Sequence, residues 1–63
     1  MNLDPGITPG AVVRNPDRPD WGEGRVQSVA GPLVTVDFDE RGKLTLDVRH
    51  VRLELLRPPR PPR

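Results

Sequence analysis

Proline and glycine punctuate this chain too densely for a helix of any length. Nine prolines and six glycines are spread over 63 residues, and no window sustains the i, i+3, i+4, i+7 apolar spacing of a buried helix face. Between these breakers lie short runs rich in Val and Leu at near-regular intervals, the pattern of a small all-β sandwich or barrel. "LVTVDF" at 33–38 is the clearest: Val34, Val36 and Phe38 share one face, and Leu33, Thr35 and Asp37 share the other.

Five strands follow from this pattern. The first spans about 11–15 with Val13 inward, and the loop "NPDRPDWGEG" leads to a second at about 24–30. There Val26 and Val29 lie three apart, which breaks strict alternation and predicts a bulge or bend. "LVTVDF" is the third strand. "DERG" then makes a hairpin connection, with Gly42 available for positive φ. "KLTLDV" points Leu44, Leu46 and Val48 inward, a tight turn at "RH" follows, and "VRLELL" aligns Val51, Leu53 and Leu55. Strands this short need a strongly bent antiparallel sheet that curls on itself, so a five-stranded SH3-like barrel is expected. Its predicted core is Val13, Val26, Val34, Val36, Phe38, Leu44, Leu46, Val51 and Leu53. The organisation read from the chain is an irregular lead-in at 1–10, the barrel at 11–56 and an extended Pro/Arg tail at 57–63.

Size and composition narrow the function. A chain this short buries only about 60% of its unfolded surface, and it cannot readily enclose a water-excluding pocket. His50 has no nucleophile or carboxylate constellation beside it. Asp37, Asp39 and Glu40 offer too few oxygens for Ca²⁺, and Asp39 reads as a turn cap. There is no cysteine. An enzyme is not expected, nor is a metal or cofactor. "MNLDPGITPG" has neither a basic n-region nor an apolar h-region, and no apolar run approaches the roughly 20 residues of a membrane span. A cytoplasmic protein is expected.

The motifs carry a resemblance. A Gly, a short strand, an aromatic followed by G-x-G-x-V (Gly22, Gly24, Val26) and a V-T-V-x-F-D hairpin (Val34, Val36, Phe38, Asp39) resemble the Tudor-like C-terminal domain of UvrD/PcrA-type helicases. They are similar, more distantly, to the RNA-polymerase-interacting domain of CarD-type regulators. Closer still is a family of stand-alone bacterial proteins of about this length and unknown function. The resemblance covers residues 10–56. It implies a Tudor-like fold and docking onto RNA polymerase or a transcription or DNA-repair factor, with no helicase or DNA-binding partner domain expected beside it.

Two readings stay open for Trp21, the only Trp. It either plugs one end of a core poor in aromatics or grips a partner as an interaction hot spot. The expected protein-binding face combines Trp21 with Arg14, Arg25 and Gln27. Asp17, Asp20 and Glu23 in the same stretch suit a protein surface better than a nucleic-acid groove. Residues 1–56 carry seven basic and nine acidic side chains, whereas "RPPRPPR" adds three arginines and no acid. The rival expectation is therefore weak nucleic-acid binding led by Arg57, Arg60 and Arg63 on a polyproline-II tail. A monomer or a weak homodimer, formed by strand pairing at an unclosed edge, completes the expectations.

Overall fold

The alternation in "LVTVDF" and "KLTLDV" becomes a regular hairpin. The computed structural model describes residues 6–59. Its strands are β1 (Val12–Arg14), β2 (Gly24–Ala30), β3 (Leu33–Phe38), β4 (Gly42–Asp47) and β5 (Glu54–Arg57). β3 and β4 pair from Leu33↔Asp47 to Phe38↔Gly42 without a break. Gly42 ends the connecting turn at φ +88°, and Arg41 N–H donates to Phe38 O at 3.3 Å. β2 shows the predicted irregularity: Val26 pairs with Val36, Ser28 pairs with Thr35, and Gln27 between them has no partner. That extra residue returns both Val26 and Val29 to the core side despite their spacing of three.

All five strands are antiparallel neighbours in one sheet, ordered β4-β3-β2-β1-β5. The expected all-β, five-stranded class is present, but the sheet does not close into a barrel. β4 and β5 are its two ends. The segment between them brings Val48, Val51 and Leu53 against the core as side chains, and Val48 N–H, donating to Pro32 O at 2.9 Å, carries the β3–β4 pairing one residue further. β5 accordingly begins at Glu54, later than the apolar alternation of "VRLELL" predicts.

The core is Ile7, Ala11, Val13, Val26, Val34, Val36, Phe38 and Leu46, with Leu44, Val51 and Leu53 partly buried at its margin. Ile7 and Ala11 are additions to the expected set. The lead-in joins the fold: Gly10 N–H donates to Val26 O and Val26 N–H donates to Ala11 O, both at 2.9 Å. Arg57, expected in the tail, is the last residue of β5. Arg60 and Arg63 lie outside the described residues.

Asp47 organises the turn after β4. Its carboxylate accepts from the backbone N–H of Arg49 at 2.9 Å and from the Arg49 guanidinium at 2.7 Å. The guanidinium hydrogen bonds, then the backbone one, hold the Asp47 carboxyl at about 2 against an ordinary 3.8. A depressed carboxyl favours the folded state above its unfolded pKa, and that contribution fades as pH falls through the folded value. Urea midpoints of Asp47→Asn are therefore expected to lie below wild type at pH 7 and to converge with it below about pH 2. The amide keeps the turn's backbone acceptor and removes only the charge. Because the pair is exposed, the gap should shrink with added salt, and an unchanged pH profile would refute this role.

Candidate interaction surface

Trp21 closes a 3₁₀ turn, Pro19–Trp21, at the end of the loop from β1. Asn15, the one buried polar residue of the described chain, starts that loop: its side-chain oxygen accepts from Asp17 N–H at 2.9 Å and its carbonyl from Arg18 N–H at 3.0 Å. Such side-chain-closed turns are typical of Asn. Trp21 N–H then donates to Arg18 O, and Trp21 O accepts from Glu40 N–H, both at 3.0 Å. The backbone thus ties the Trp21 turn to the β3–β4 hairpin. The partly buried indole packs on Phe38, with ring centroids 5.1 Å apart and planes tilted by 58°. Its Nε1–H is buried without a hydrogen-bond partner.

The cations beside the ring differ from those expected. Arg18 and Arg41 lie 5.0 and 6.0 Å from its centroid, within cation–π range. Arg41 comes from the β3–β4 turn, 20 residues away, so no local motif announces it. Arg14 and Arg25 instead stand on the outer face of the sheet, two strands' width of mixed charge. Strand register sets this face: Arg25 is opposite Val12, and Val12 is opposite Arg57. Arg14 is ion-paired with Glu54, and Arg57 with Glu23 at 2.9 Å. Arg25 has no ion pair among the described residues.

Two open grooves run over this face. One, of about 710 Å³, is lined by the buried Val12, by Arg25 and Arg57, and by Pro9, Gly10, Pro58 and Pro59. The other, of about 400 Å³, is bounded by Arg14, Glu54, Pro19, Gly22 and the exposed Leu56. Glu23 and Arg57 lie where the two meet. Of the predicted site residues, the structure brings Arg14, Arg25 and Arg57 together. It turns the Trp21 ring away from them, though Pro19 and Gly22 beside it border the Arg14 groove. Gln27 sits exposed in the β2 bulge.

His50 is exposed in the turn after β4, its N–H donating to Asp47 O at 2.9 Å. Among the described residues the Asp39 side chain makes no hydrogen bond. Its backbone N–H donates to Glu23 O at 2.8 Å, so the backbone and not the carboxylate secures that end of the hairpin. Among the described residues no group of three or more His, Asp or Glu is placed to hold a metal ion, and no helix is long and apolar enough to cross a membrane.

The family model described as "Protein of unknown function (DUF3553)" matches residues 7–56, so the chain belongs to that family. The match covers the whole sheet except the last residue of β5. No curated protein and no solved structure matches the chain.

Proposed function

We propose that this member of the family is a non-enzymatic interaction module that docks onto another protein through the outer face of β2, β1 and β5. The observation that carries this is the pairing of charge on that face. Arg14 and Arg57 are each neutralised by a carboxylate, while Arg25 and the exposed Leu56 remain to meet a partner. An exposed apolar side chain set among paired charges, beside an Arg with no ion pair among the described residues, fits a protein interface, where charge arrangement sets specificity. The partner class comes from the resemblance of the G-x-G-x-V and V-T-V-x-F-D elements to Tudor-like and CarD-type domains: RNA polymerase, or a transcription or DNA-repair factor.

Affinity capture from a lysate of the source organism tests this with surface variants that leave the core intact. Wild type is expected to retain a polymerase subunit or a transcription or repair factor. Arg25→Glu combined with Leu56→Asp should reduce that retention by roughly tenfold, with an unchanged urea midpoint. Identical recovery by both proteins would refute the assignment of the face.

One observation favours the second reading, nucleic-acid binding, since Arg25 and Arg57 border the same groove. With Arg60 or Arg63 supplying a third phosphate contact, the salt slope would be only about −2.7. Fluorescence anisotropy with labelled DNA and RNA at low salt decides it. Binding lost on replacing Arg57, Arg60 and Arg63 with Ser supports the tail, and no binding removes this reading.

A further inference from the structure

We propose that the protein also self-associates through β4, two copies pairing this strand antiparallel about a two-fold axis at Thr45. The sheet has two free edges, and they are built differently. β5 has four residues, its register slips against β1, and Pro58 and Pro59 follow it. Shortness, irregularity and proline are the devices that guard an edge against pairing. β4 has six residues, an unbroken register with β3 and no proline. Its outer side is left as a template for another strand from Lys43 to Leu46, while at Asp47 the carbonyl already accepts from the N–H groups of His50 and Val51, both at 2.9 Å, and the side chain is what faces the second copy.

The residues of β4 also favour a second copy over an unrelated strand. Read antiparallel to itself about Thr45, "KLTLD" places Lys43 opposite Asp47 of the other copy, and Asp47 opposite Lys43, so opposite charges meet twice. Leu44 and Leu46 meet in the same reciprocal way on the core side, where one is partly buried and the other 9% exposed. A slip of one residue would set the core face of one copy against the outer face of the other. Lys43 has no ion pair among the described residues, while Asp47 is already held in place by Arg49. Asp37, opposite Lys43 on β3, adds another carboxylate to the row. The joined sheet would have ten strands, and the outer face of β2, β1 and β5 would stay free at each end.

Sedimentation velocity of the full chain over a concentration series is expected to show a monomer–dimer equilibrium. Lys43→Glu should weaken it by roughly tenfold or more, since both cross-strand pairs become repulsive. Adding Asp47→Lys to that variant should restore it. Because Asp47 also organises its own turn, a second measurement is independent of that residue. The chain has no cysteine, so Thr45→Cys on the axis should oxidise to a covalent dimer, whereas Ser28→Cys on β2 should not. A monomer at every concentration overturns the proposal. So does a dimer that ignores Lys43→Glu and is not trapped at position 45.

Discussion

Gly24→Ala is expected to remove about 3 kcal/mol or more of stability, a large part of the roughly 3–9 kcal/mol that a chain of this size holds in total. Gly24 opens β2 on the core side, between Phe38 of β3 and Val13 of β1. A Cβ there would lie 2.4 Å from Val36 Cγ1 and 2.7 Å from Phe38 Cδ1. Neither neighbour can yield easily. Val36 is β-branched and fully buried, and the Phe38 ring is 1% exposed and packed at a tilt against Trp21. Only displacement of the β2–β3 pairing makes room, and that pairing holds the sheet together. Gly42→Ala is the matched control. It has positive φ but nothing within 4 Å of the added carbon, so it should cost only about 1–2 kcal/mol, the ordinary strain of a left-handed residue with a Cβ. Urea titration followed by Trp21 fluorescence compares the two. Equal midpoints would mean that close packing at Gly24 contributes nothing beyond its backbone freedom.

That glycine shows how far the chain could be read without coordinates. Gly24 stood in the sequence only as part of a G-x-G-x-V pattern, and the atom that demands a glycine there belongs to Val36, whose approach depends on register. The β3–β4 hairpin and the β2 bulge were legible because a period of two, and its single break at Val26 and Val29, are local signals. Ile7 was not, since one apolar residue between prolines and glycines has no period to reveal its burial. Val51 and Leu53 misplaced the start of β5 for a related reason: alternation reports which side chains meet the core, and here they do so without backbone pairing. Closure of the sheet failed on the same segment. At the candidate face, Arg14 and Arg25 were legible as exposed cations flanking the Trp21 loop. Their separation from the ring, the neutralisation of Arg57 by Glu23, and the approach of Arg41 all depend on which strands become neighbours.

Trp21→Ala and Trp21→Phe are expected to behave very differently, and the difference decides between the two roles of the indole. Truncation to Ala exposes Phe38 and opens the end of the core, at a cost of about 2–4 kcal/mol for a large, partly buried ring. Phe keeps a ring against Phe38 and removes Nε1–H, which is buried without a partner. An unpaired buried donor costs about 1–3 kcal/mol, so its removal offsets the smaller contact area. Trp21→Phe should therefore stay within about 1 kcal/mol of wild type. Far-UV circular dichroism in urea measures both, because neither variant retains a tryptophan to report by fluorescence. A Phe variant as damaged as the Ala variant would show that the full indole is needed for packing. If the Phe variant folds as expected, the same affinity capture assigns the function of the residue. Retained partner recovery makes Trp21 a plug for the hairpin end. Recovery lost in a fully folded Trp21→Phe protein places the indole in the interface, because only the nitrogen and the outer ring have changed.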